Sequence, residues 1–84
     1  MSDAVGVRAA VEVLAKVLTD RPDAVRVTES QRKEMTIIEL FVAPGDLGKV
    51  LGRQGRTAAA LRTLAATAGE REGKTVTLEI RESR

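Results

Sequence analysis

Two glycines separated by two residues, in the stretch GKVLGRQGR (48–56), lie between segments whose patterning is helical, and they restrict the fold more than any other feature. A glycine inside a helix costs about 1 kcal/mol relative to alanine. The chain is therefore expected to break here into two helices joined by a tight corner. Glycine also reaches positive φ and lets another molecule approach the main chain closely. The corner ends where the second helix begins, so free N–H groups and the positive end of the helix dipole point at whatever sits there. Lys49, Arg53 and Arg56 surround it with positive charge. Residues 44–64 hold those three and Arg62 against Asp46 alone, an excess of three, whereas the remainder has 10 basic and 11 acidic residues. This combination suits a phosphodiester backbone, gripped with little regard to base identity. The same glycines would also serve a plain corner between helices.

The flanking segments define the scaffold. Val7, Val11, Leu14 and Leu18, with Ala10, Val13 and Val17 alongside, form one broad apolar stripe on a first helix. Ser2 or Asp3 is its expected cap, and Asp20-Arg21-Pro22 its stop. Val25 and Val27 alternate with polar residues as a short strand, and Ser30–Glu34 reads as a polar connector. In MTIIELFV (35–42), Ile38, Leu40 and Val42 share one face of a second strand, while Ile37, Glu39 and Phe41 share the other. Ala43-Pro44-Gly45 ends that strand. Pro44 opens a very short helix to about Leu51, and Asp46 complements its dipole. RTAAALRTLAATA (56–68) continues as a helix with Leu61, Leu64, Ala65 and Ala68 on one side, ending at Gly69. After a polar turn at Glu70–Lys74, TVTLEIR (75–81) turns Val76, Leu78 and Ile80 inward. The order helix-strand-strand-helix-helix-strand predicts an α+β fold, with three helices packed on one face of a three-stranded sheet. A chain of 84 residues is expected to form a single domain over 1–84.

Other chemistries are excluded by residue type and spacing. The chain has no histidine or cysteine, and no pair of carboxylates is placed for acid–base work, so no enzyme, metal site or cofactor is expected. GDLGKV (45–50) is too short for a nucleoside-triphosphate loop and lacks a Ser or Thr after the lysine. Gly48, Gly52 and Gly55 do not have dinucleotide-fingerprint spacing. The N-terminus carries charges at helical intervals and lacks a basic signal-peptide start, and no apolar run is long enough to span a bilayer. A cytoplasmic protein without membrane contact is the expectation.

VLGRQG (50–55) resembles the V-I-G-x-x-G core of KH domains, and the order of elements resembles their type II form. VEVLAKVLTDRPDAVRV, IIELFVAPGDLGKVLGRQGR and GKTVTLEI extend the resemblance along nearly the whole chain, to the KhpA family of very short bacterial proteins made of one such domain. The resemblance implies a GXXG loop at Gly52, Arg53, Gln54 and Gly55, flanked by Lys49 and Arg56. It implies a hydrophobic floor at Val50 and Leu51, one facing inward and the other the groove. It also implies a variable loop at Ser30–Glu34, across the groove, with Arg32 and Lys33 as its cations. Arginine stands at 53 and 56 where lysine is often expected; the charge is kept, and arginine favours bidentate phosphate contact. The implied function is binding of single-stranded RNA with low sequence specificity, as an RNA chaperone or post-transcriptional regulator. A KhpB (Jag)-type RNA-binding protein is the implied protein partner. Phe41, the one aromatic residue, cannot build a base-stacking platform, which agrees with an aliphatic groove. The alternative is a protein-interaction module, for a homodimer or a larger partner, using an apolar spot at Ile37 and Phe41 on the outer sheet face.

Overall fold

A computed structural model describes residues 6–83. Its elements are α1 (Val7–Leu18), β1 (Arg26–Arg32), β2 (Met35–Val42), α2 (Leu47–Leu51), α3 (Arg56–Arg71) and β3 (Thr75–Glu82). Single 3-10 turns at Pro22–Ala24, Pro44–Asp46 and Arg53–Gly55 join them. The caps expected at Ser2 or Asp3 lie outside the described residues. No described helix is long and apolar enough to cross a membrane.

The sheet order is β1-β2-β3, with β1 antiparallel to β2 and β3 parallel to β2. A parallel neighbour needs a crossover, and α2 with α3 supplies it. The period-two pattern of β2 is realised as read: Thr36, Ile38, Leu40 and Val42 are buried under the helices while Ile37, Glu39 and Phe41 are half-exposed on the other face. Val7, Val11 and Ala15 of α1, Val50 of α2, Leu61 and Ala65 of α3 and Leu78 of β3 complete the core.

Four sequence expectations are corrected. The broad stripe of α1 does not all enter the core: burial follows Val7, Val11 and Ala15, and Val13, Leu14 and Val17 remain 59%, 37% and 77% exposed. Ala15 is completely buried, so the face of α1 that meets the core is centred on it and the larger side chains beside it lie outside that face. Leu64 of α3 is likewise 53% exposed, because the buried line of that helix runs through Ala58, Leu61, Ala65 and Gly69.

Ser30–Arg32 belong to β1 rather than to a connector, pairing with Ile37, Thr36 and Met35. The turn is Lys33-Glu34 alone, with Lys33 at φ 56°. The ladder outruns the apolar alternation because backbone pairing needs no apolar side chains.

Gly69 does not end α3 but lies inside it, where an added Cβ would stand 2.3 Å from Val76 Cγ2 and 3.2 Å from the Lys74 carbonyl oxygen. The helix ends at Arg71, and Gly73 beyond its cap lies in the left-handed region at φ 72°. Gly73 N–H donates to the Glu70 carbonyl at 3.0 Å and Lys74 N–H to the Gly69 carbonyl at 2.8 Å, a Schellman closure.

Candidate nucleic-acid interface

The site is built from Asp46 onward. Asp46 ends the turn opened by Pro44 and is only 3% exposed. Its carboxylate accepts the Asp20 N–H at 3.2 Å and the Arg21 N–H at 3.0 Å, clamping the connector after α1 to the start of α2. One turn along α2, Lys49 Nζ pairs with Asp20 Oδ2 at 3.2 Å. In the sequence Asp46 signals only a helix start. Its two donors lie 26 and 25 residues earlier, so no local pattern announces the clamp.

α2 closes with Gly52 N–H donating to the Gly48 carbonyl at 2.9 Å. Gly52 then takes φ 76°, ψ 174°, and Gly55 takes φ 74°, ψ 13°, with Gln54 between them at φ 57°, ψ 24°. Two consecutive left-handed residues reverse the chain, so that α3 departs directly from the corner. Gly55 is the N-cap of α3 and has no side chain to bond the first-turn N–H groups. An added Cβ at Gly55 would meet nothing within 4 Å, which leaves the backbone open on that side. Arg53, Gln54 and Arg56 are exposed around it. Neither Arg53 nor Arg56 makes an ion pair among the described residues, in contrast to Lys49.

The other expected site residues divide. Val50 is fully buried in the core, and Leu51 is half-buried beside the corner, so only Leu51 is available to a ligand. Arg32 and Lys33 are not brought to the corner. Met35 pairs with Thr75, which places the β1–β2 turn beside the C-terminal end of α3, whereas the glycine corner is at its N-terminal end. The 16 residues of α3 separate the two ends by about 24 Å. The connector that does reach the corner's end of the fold is the one holding Asp20 and Arg21.

On the outer sheet face Ile37 and Phe41 do not join into one apolar spot. The Arg26 guanidinium lies 4.9 Å from the centre of the Phe41 ring. Glu39, between Ile37 and Phe41, pairs with Arg81 at 3.1 Å. The most exposed large apolar side chains are on the helical side, at Val13 and Val17 of α1 and Leu64 of α3, with Met35 less exposed on the outer sheet face.

Two helices joined by a G-x-x-G corner, over a sheet built in the order αββααβ, define a KH domain of type II. The chain belongs to the KhpA/KhpB KH-domain family, whose model matches residues 8–80. It is 53% identical over 72 residues to the RNA-binding protein KhpA of Aquifex aeolicus, covering 86% of this chain and 91% of that one. It is 49% identical over 70 residues to the RNA-binding protein KhpA of Clostridium perfringens, covering 83% and 93%. Among solved structures it is similar in fold to Aquifex aeolicus Era bound to GDP and aluminium fluoride, with a TM-score of 0.64 and 19% identity. That match covers 92% of this chain and 30% of Era. Era in complex with a GTP analogue and nucleotides 1506–1542 of 16S ribosomal RNA matches equally, with a TM-score of 0.64 and 20% identity over 90% of this chain and 29% of that one.

Proposed function

We propose that this protein binds single-stranded RNA, with the backbone of the strand held at Gly52–Gly55 and a base resting against Leu51. The observation that carries the reading is the exposed corner, where Arg53 and Arg56 stand without an acidic partner among the described residues beside an uncapped helix start. The relatives named RNA-binding protein KhpA support it. A KH loop grips about four nucleotides of backbone. So short a footprint, without an aromatic platform, gives weak and sequence-tolerant binding, which suits an RNA chaperone or post-transcriptional regulator acting in the cytoplasm. Catalysis has no part in this reading.

The test is the double substitution Arg53→Asp with Gln54→Asp. Both glycines remain, and acidic residues near a helix start are compatible with the fold. The added charge faces the incoming phosphates, so binding of single-stranded RNA is abolished while circular dichroism and melting stay close to the parent. With about three phosphates contacted, log affinity falls against log salt with a slope near −2, at about −0.7 per phosphate for single strands. A folded Asp-Asp variant that binds as the parent does would reduce the loop to a corner.

A second reading concerns a protein partner, either a second copy or a KhpB-type protein. The exposed Val13, Val17 and Leu64 favour the helical side over the outer sheet face for this contact. Val17→Glu with Leu64→Glu then reduces the mass seen by light scattering, or the capture of that partner, with RNA affinity unchanged. Phe41→Glu does neither. The opposite pattern would return the contact to the sheet face.

A further inference from the structure

Lys49 differs from the other cations of the corner because an acidic residue of the chain already occupies it. Asp20 Oδ2 lies 3.2 Å from Lys49 Nζ, with the two side chains 72% and 48% exposed. The pairing is not incidental to a loose loop. Asp46, itself buried, holds the backbone N–H of Asp20 at 3.2 Å and that of Arg21 at 3.0 Å. The Asp20 main chain is thereby fixed against the start of α2, one helical turn from Lys49. Its carboxylate can leave Lys49 by side-chain rotation alone, without unfolding the connector. Lys49 is in turn three residues before Gly52, on the last turn of the helix that delivers the corner.

We propose that Asp20 is a built-in competitor for the RNA backbone: its carboxylate occupies Lys49 in the free protein and yields the lysine to a phosphate on binding. The inference rests on the proposed RNA site and adds a residue that lowers its affinity. An exposed ion pair is weak enough to exchange with a phosphate. Every binding event that recruits Lys49 must nevertheless break it. In the free protein Arg53 and Arg56 stand ready while Lys49 is neutralised. The clamp keeps the competitor in place, because removing the carboxylate of Asp46 would free the connector to carry Asp20 elsewhere.

Asp20→Asn keeps the backbone N–H that Asp46 holds and removes only the competing charge. With a fluorescein-labelled single-stranded oligouridylate as probe, this variant binds about two- to fivefold more tightly than the parent, the range expected from an exposed pair. Its salt slope stays that of the parent, because Lys49 engages a phosphate in both complexes. Lys49→Ala costs less in the parent than in the Asp20→Asn background, and the double variant shows no gain. Asp23→Asn controls for net charge: Asp23 is exposed on the same connector and makes no ion pair among the described residues. It leaves the slope unchanged and tightens binding less. Equal affinity for parent and Asp20→Asn, or an equal gain from Asp23→Asn, overturns the inference while leaving the RNA site standing. Failure of the parent to bind the oligouridylate at any salt concentration overturns both.

Discussion

Gly52 and Thr57 approach so closely that a Cβ on the glycine would lie 2.2 Å from the threonine Oγ1 and 2.9 Å from its backbone nitrogen. The first glycine of the corner is therefore fixed twice, by this contact and by a backbone conformation at φ 76°, ψ 174° that side chains avoid. The second has the left-handed φ but open space around it. Gly52→Ala is expected to destabilise the domain by about 3 kcal/mol, near the top of the range for such strain. Gly55→Ala is expected to cost about 1 kcal/mol. Urea denaturation of the two variants checks the order. Because the Thr57 backbone nitrogen is part of the clash, Thr57→Ala does not rescue Gly52→Ala.

Gly69 and Val76 make a second tight contact, where α3 crosses β3. Gly69→Ala overpacks it and is expected to destabilise by about 1–2 kcal/mol despite alanine's better helix propensity. In a Val76→Ala background the penalty shrinks, giving a coupling of about 1 kcal/mol in a double-mutant cycle. Additive effects would place the strain elsewhere.

Asp46 satisfies two backbone donors from a distant part of the chain. Asp46→Ala leaves both N–H groups without their charged acceptor and is expected to cost about 2–3 kcal/mol, with Asp46→Asn costing less because one carbonyl acceptor remains. Amide exchange at Arg21 should accelerate in both variants, more strongly in the alanine one.

Glu12 lies between Arg8 and Lys16, at 3.1 and 3.0 Å from their charged nitrogens. The hydrogen bond from Lys16, followed by that from Arg8, holds its carboxyl below the usual glutamate value of 4.5. A depressed folded-state value stabilises the fold above the unfolded pKa, and the contribution disappears as pH falls through the folded one. Melting temperature should therefore drop below about pH 4.5 more steeply in the parent than in Glu12→Gln. Parallel curves would assign the acid loss to other carboxylates.

Local sequence determined the second strand and the corner. Period-two alternation in residues 35–42 marks which side chains of β2 are buried, and paired glycines between helical runs mark where α2 must give way to α3. Both are legible because each follows from the backbone geometry of a few consecutive residues. Tertiary structure decided which cations share an end of the fold. Arg32 and Lys33 are carried away from the corner by the parallel pairing of β2 with β3, while Asp20 is carried to it by a bond spanning 26 residues. It also decided which part of an apolar stripe is core: Val11 and Val17 look alike in the helical pattern, yet one is 3% and the other 77% exposed. Helical periodicity fixes the relative angles of side chains around an axis. How that axis is turned toward the core is set by contacts with residues far away in the chain.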